Sequence, residues 1–308
     1  MNPLQNIENT ALTLREQLEV LKSRGMKFRD ERKAEELLGQ IGYFHLKGYW
    51  IDMEEDPVRH IFRSDSYFEN VLERYLFDHY LRGEIFVAVE NIEIAFRARL
   101  TYHMARQYGQ WWWNDESLFK SAKAYDSMLK IIDNEFHKSR NPVIQRYIEK
   151  RPDKRPEAWA IFESASLGVM VRVYGNLRDT LVEKRRIASD FGHDNPDTLF
   201  NWMESVCSVR NKAAHYSRLW NAPVKSITVP DSLPRPWVSS IPNAASLYAV
   251  ICALVYLSQS LDQSDNIRKS FIRIIKIYDS LPLAKMGFPS GFLDEPLWHY
   301  HPEDMLMR

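Results

Sequence analysis

The sequence predicts an all-α protein, and three observations carry that reading. Apolar residues recur with a period near 3.6 over long stretches, which puts them on one face of a helix. Only 11 glycines occur in 308 residues. The one clearly irregular region follows Pro223 and holds Pro230, Pro234, Pro236 and Pro242.

The elements follow in order. Thr13 to Arg24 reads as a first helix, with Leu14, Leu18 and Leu21 on one side and Gly25 at its end. Asp30 is the expected N-cap of Glu31 to Ile41, whose Ala34, Leu37, Leu38 and Ile41 form an apolar stripe. The aromatic-rich segment Gly42 to Trp50 fits either a compact loop or an interrupted helix. From Ser66 to about Tyr108 the pattern is helical, broken only by Gly83, with Leu72, Leu76, Phe86, Val89, Ile92 and Phe96 as the expected core stripe. Its polar side carries Asp78 with Arg82 and Glu93 with Arg97, each four apart. Such pairs are ordinarily surface ion pairs worth a few tenths of a kcal/mol. For Glu93 and Arg97 the alternative is a brace for a polar site on a neighbouring helix.

After Trp111-Trp112-Trp113, a helix resumes over Ser117 to Phe136. Arg140 to Pro156 is a basic, proline-punctuated connector with a short helix around Val143 to Glu149. Pro156 to Asp179 and Thr198 to Trp220 read as two more helices, joined by a charged turn near Gly192 to Pro196. Ala244 to Gln259 and Asn266 to Leu281 are the last two helices, before a tail rich in proline and aromatics. This organisation divides the chain into an N-terminal helical region over 1–65, a helical core over 66–222 and C-terminal helices over 223–308.

Composition restricts function. The 45% hydrophobic and 27% charged content belongs to an ordinary soluble protein. A formal net charge of zero excludes a generally basic nucleic-acid coat but leaves room for a local basic cleft. The two cysteines, Cys207 and Cys252, sit in apolar patterns, and no Cys/His grouping has zinc spacing, so neither metal nor cofactor is expected. Met1 to Glu16 lacks the layout of a signal peptide, and the apolar run Ala244 to Leu257 is too short to span a bilayer. The expectation is a cytoplasmic protein without membrane contact.

The run Arg210-Asn211-Lys212-Ala213-Ala214-His215, continued by Tyr216-Ser217-Arg218-Leu219-Trp220-Asn221, offers the chemistry to hold a phosphodiester and move a proton. On a helix Asn211 and His215 share a face, with Arg218 beside them, while Arg210 lies roughly 140° around and reaches them only through its long side chain. The pattern of Arg, four to six intervening residues, then His also occurs at Arg74/His79, Arg97/His103 and Arg186/His193, so spacing alone is a cheap signal. A His on an amphipathic helix is ordinarily half-buried and bonded to a carbonyl, and packing accounts for His79 and His103. Asn211, Arg218 and the small Ala213 and Ala214 set the last occurrence apart.

With these residues the chain resembles the Abi family of bacterial phage-defence proteins, the abortive-infection group within the HEPN class of helical ribonucleases. Leu37 to Tyr49 is similar to the family's aromatic N-terminal block, with His45 at a commonly basic position. Leu76-Phe77-Asp78, Leu81-Arg82 and Glu90 to Arg97 look like its long central helix. Arg210 to Asn221 resembles its signature run, and Met286-Gly287-Phe288-Pro289 its C-terminal block. The resemblance implies a HEPN-like helical bundle with additional N- and C-terminal helices. It implies a metal-independent endoribonuclease in which Arg210 and His215 are catalytic, Asn211 orients, and Glu93, Arg97 and Arg218 support.

Such enzymes face two copies across a two-fold axis, so the resemblance implies a homodimer with both His215 residues on one basic groove. Tyr216 and Trp220 are candidates to stack on unpaired bases, although packing is the more ordinary role for Trp220. Some relatives are linked to a structured noncoding RNA that restrains the toxin. The basic segments Lys138 to Arg155 and Lys184-Arg185-Arg186 are compatible with an RNA partner, or are simply solvated charge. Two other readings stand beside the enzyme: a non-catalytic RNA-binding protein using the same residues, and a buried polar network of Arg210 and His215 that holds helices in register.

Overall fold

The helical periodicity resolves into thirteen α-helices in a computed structural model that describes residues 11–151, 155–262 and 264–299. They are α1 (Leu14–Ser23), α2 (Glu31–Ile41), α3 (Tyr43–Trp50), α4 (Phe68–Tyr108), α5 (Ala122–His137), α6 (Pro142–Lys150) and α7 (Ala158–Ile161). After these come α8 (Leu167–Asn176), α9 (Val182–Asp190), α10 (Pro196–Ala214), α11 (Leu247–Ser258), α12 (Ser264–Ile277) and α13 (Pro296–His299). The all-α expectation holds. The only sheet among the described residues is a short antiparallel pair, β1 (Glu54–Asp56) and β2 (Ile61–Phe62). No helix among them is long and apolar enough to cross a membrane.

The chain divides into two compact units. One comprises residues up to Leu81 together with Ile277–Pro282; the other comprises Arg82–Lys276 and the residues from Leu283 on. Among the described residues, the segment 1–65 read from the sequence lies in the first unit, 66–222 is shared between both, and 223–308 falls mostly in the second.

In the first unit, Thr13 and Glu16 form a reciprocal capping box that starts α1, and the Asp30 carboxylate accepts from the Lys33 amide at 2.9 Å to start α2. The segment left open between loop and helix is α3, entered through Gly42 at φ 93°. Its Leu46, Tyr49 and Trp50 are buried. Asp78, expected at the surface, is fully buried and accepts from the Tyr49 hydroxyl at 2.7 Å. Arg82 is buried as well. Arg74 is buried and donates to the Asp52 carboxylate at 2.6 Å and to the Tyr49 carbonyl at 2.9 Å, so this Arg of a repeated Arg/His spacing has a structural role. His79 is exposed, and its ring stacks on Tyr75 and meets Tyr80 edge-on.

The second unit is built round α11, every residue of which is buried. A helix apolar on all sides is a core helix. Around it, α10 packs on α8, α9 and α11, and α5 packs on α8. Gly175 of α8 lets that helix approach the Phe200 ring of α10 where a Cβ would not fit. On α4 the buried face is Ile85, Ala88, Val89, Ile92, Phe96, Leu100 and Met104. Val89, Ile92 and Phe96 belong to the expected stripe, whereas Leu76 and Phe86 are exposed and Leu72 only half-buried. The long helix carries apolar residues on two faces, and only one of them is core.

Candidate functional site

α10 positions the signature run. Asn195 caps it by accepting from the Asp197 amide at 2.8 Å, and Pro196 occupies the first turn, where no amide donor is needed. Leu199, Trp202, Met203, Val206, Val209 and Ala213 are buried with helical spacing. That stripe leaves Arg210 at the edge of the buried face and Asn211 exposed.

Arg210 meets α4 there. Its guanidinium donates to Glu93 Oε2 at 3.2 Å and to Asn211 Oδ1 at 3.1 Å. The other Glu93 oxygen accepts from Arg97 at 3.1 Å. Arg97 also donates to the carbonyls of Phe162 and Ala165, at 3.0 and 3.1 Å, tying the break between α7 and α8 to α4. Glu93, Arg97 and Arg210 are each about four-fifths buried or slightly less. They line an open groove of about 410 Å³ with Phe86, Val89, Glu90 and Ile94. Two guanidiniums face two carboxylates in it, so in one copy the groove is charge-balanced rather than basic as expected. Cys207, one turn before Asn211, is a free half-buried thiol whose pKa burial pushes up. That is the behaviour of an inert packing cysteine.

His215 departs from the expected geometry. α10 ends at Ala214, six residues short of the predicted Trp220. The Tyr216 amide donates to the Ala213 carbonyl at 3.1 Å and the Ser217 amide to that of Lys212 at 2.9 Å. This paired closure is a Schellman motif, which turns the chain through a left-handed residue, here Tyr216 at φ 54°. His215 is therefore the C-cap, its ring exposed and without a protein partner among the described residues. Arg218 is half-buried beyond the turn, not one helical turn above His215. Tyr216 is exposed, but Trp220 is fully buried and cannot serve as a stacking platform for a base.

The other Arg/His spacings have local explanations. His103 meets the Asp190 carboxylate at 2.8 Å. His193 is buried against Trp202 and Tyr256. Of the basic run 184–186, Lys184 is fully buried and donates to Asp179 at 2.8 Å and to the Leu177 carbonyl at 3.0 Å, which removes it from any RNA-facing surface. Arg185 and Arg186 are exposed. In the segment 138–155, Pro152, Asp153 and Lys154 lie outside the described residues. No grouping of His, Cys, Asp and Glu suited to a metal ion occurs among the described residues.

The core is all-helical, with Arg210 and His215 at the end of α10 and Glu93 and Arg97 supplied by α4. The chain belongs to the Abi-like protein family, whose model matches residues 36–221. That span includes the aromatic block of α3, the central helix and the signature run, and it ends at Asn221, before Met286-Gly287-Phe288-Pro289. No curated protein and no solved structure matches the chain. Membership of this family points to abortive infection, the defence of a bacterial population against phage.

Proposed function

We propose that the protein is a metal-independent endoribonuclease of the HEPN type, the toxic effector of a phage-defence response. One observation carries the reading. A single helix end offers an arginine at an open groove and, five residues on, an exposed imidazole with no structural task. A histidine that only held helices in register would be buried and bonded.

RNA brings its own nucleophile. His215 takes the proton of a ribose 2′-hydroxyl as the 2′-oxygen bonds to phosphorus, and the bond from phosphorus to the 5′-oxygen breaks. The products are a 2′,3′-cyclic phosphate and a 5′-hydroxyl. Arg210 stabilises the added negative charge on the phosphoryl oxygens, a contribution of about 3 kcal/mol for a fixed donor. Asn211, bonded to Arg210, orients it. The proton needed by the leaving 5′-oxygen comes from His215 of a second copy. Exposed Phe86, Val87 and Ile94 on α4, two of them lining the groove, are the apolar surface that copy would cover.

The charge balance of the groove favours a second reading, a non-catalytic RNA-binding protein in which Arg210 only grips phosphate. Incubation of the purified protein with labelled RNA in EDTA separates the two. Cleavage that is lost in His215→Ala and Arg210→Ala, with thermal stability kept in His215→Ala, is the expected result. Retained binding without cleavage by the wild type would establish the binder instead.

A further inference from the structure

Among the described residues, three that are not glycine have a left-handed backbone: His60 at φ 56°, Tyr216 at φ 54° and Asn221 at φ 44°. Histidine and asparagine adopt this conformation more readily than most residues, whereas a bulky tyrosine there is an outlier. His60 also has local compensation, since its Nδ1 meets the Glu54 carboxylate at 3.1 Å. Tyr216 has no such offset. It is 73% exposed, so little packing repays the strain. Glycine, the ordinary residue at this step of a Schellman closure, would fold at lower cost. A ring kept where the fold is better served without it has its use outside the fold.

The backbone that carries the ring is held on both sides. Ala213, three residues before, is buried; Leu219, three residues after, and Trp220 are fully buried. The Tyr216 and Ser217 amides close back onto the end of α10, and the Ala222 amide donates to the Leu219 carbonyl at 3.1 Å. An aromatic face presented from so short and anchored a turn is organised before anything binds it. Its neighbour on the helix side is His215, also exposed.

We infer that Tyr216 is the platform on which the base of the cleaved nucleotide stacks, and that the substrate is therefore RNA unpaired at the cut. The inference rests on the ribonuclease reading of His215. An imidazole that takes the 2′-hydroxyl proton touches C2′ of the ribose, and the base hangs from the adjoining C1′. Residue 216 follows at a Cα spacing of about 3.8 Å, within reach of that base. Within a duplex the base is covered on both faces by its neighbours, so only a splayed or unpaired nucleotide offers a face to the ring. Stacking does not read base identity, so the selection is for strand state rather than sequence. A second copy seated on the ring would also cover the adjacent imidazole, which the reaction needs open to RNA.

The test reads binding apart from cleavage. Full-length His215→Ala protein is titrated into a trinucleotide of 2-aminopurine between two uridines, whose fluorescence falls when the modified base stacks. In that background Tyr216→Gly is expected to weaken binding by roughly fivefold or more and to abolish the quenching, with the melting temperature kept or raised. Tyr216→Phe is expected to retain both affinity and quenching. Unchanged binding and quenching in Tyr216→Gly would overturn the inference, and so would equal losses in Tyr216→Gly and Tyr216→Phe. A parent protein that does not bind the trinucleotide would also overturn it, including the case in which Tyr216→Gly changes only self-association. With His215 restored, a labelled hairpin is expected to be cut in its loop and spared once a complementary strand pairs that loop. Quenching by the parent with no cleavage of the hairpin refutes the ribonuclease reading and leaves the stacking result standing.

Discussion

Glu93 accepts from Arg97 and Arg210 at once, at 3.1 and 3.2 Å, so neither guanidinium presents its whole charge to an incoming phosphate. The three residues are mostly shielded from water, where such pairing is stronger than at a surface. Holding Arg210 by one edge also leaves a planar, multi-donor group in a fixed orientation. Arg97 also donates through Nε and Nη2 to two backbone carbonyls and acts as a brace. His193 makes a separate argument at the same scale. Its ring centroid is 4.5 Å from that of Trp202 and 5.5 Å from that of Tyr256, and neither ring nitrogen has a hydrogen-bond partner among the described residues. Burial, and then the nearby Arg235 cation, lower its pKa to about 4. In the unfolded chain the same imidazole titrates near 6.5. Because the folded value is the lower one, the contribution to stability is whole above about pH 6.5. It is lost as pH falls toward 4, when the unfolded state takes up a proton that the folded state refuses. The loss is on the order of 3 kcal/mol. Denaturant titrations at about pH 7 and pH 4 are expected to show it, and His193→Phe to remove most of the difference. Parallel losses in the two proteins would assign the pH sensitivity to another group.

At the scale of elements, the stop of α10 decides where His215 points. A Schellman closure usually has glycine at its left-handed position; this one has Tyr216 at φ 54°, a conformation that costs a side-chain-bearing residue roughly 1 kcal/mol or more. Tyr216→Gly is therefore expected to raise stability by about 1 kcal/mol, read from the denaturant midpoint, since Tyr216 is exposed and loses little packing. An unchanged or lower midpoint would show that the turn is unstrained. The same residue explains why the helix end was illegible in the sequence: without glycine there is no written stop before Trp220. Where short polar side chains do cap, as at Asp30, the sequence reading and the structure agree on α2 from Glu31 to Ile41. Pro156 to Asp179 reads as one helix but breaks after Ile161. There the Ser166 amide and hydroxyl both bond Glu135, 2.9 Å away in each case, a tertiary contact that no local pattern announces. α9 was missed because its sequence is mostly charged, and it buries Glu183 and Lys184 along with Ile187 and Ala188. The i, i+4 spacing made Glu93 and Arg97 visible as a pair. Their meeting with Arg210 joins residues 117 apart and needed the fold.

For the molecule as a whole, the chemistry and the surface ask for the same thing. Transphosphorylation needs a base at the 2′-oxygen and an acid at the 5′-oxygen, and the signature run supplies one imidazole per chain. Beside the groove, α4 leaves Ile94 55% exposed and Phe86 40% exposed. A two-fold pairing through this face would cover the apolar residues and bring a second imidazole to the same phosphate, because an isologous interface repeats each contact. It would also double every charge in the groove without making it basic, so affinity for a long RNA would have to come from elsewhere on the surface. If the pairing is required for cleavage, specific activity must fall on dilution through the dimer dissociation range. A charge placed on the apolar face should act in the same direction. Ile94→Glu is expected to be monomeric by light scattering at concentrations where the wild type is dimeric, and to cut labelled RNA at least tenfold more slowly. Its thermal stability should stay close to that of the wild type, because Ile94 is mostly solvated within one chain. A monomeric Ile94→Glu with undiminished cleavage would mean that one imidazole suffices and that the second copy has no part in the reaction.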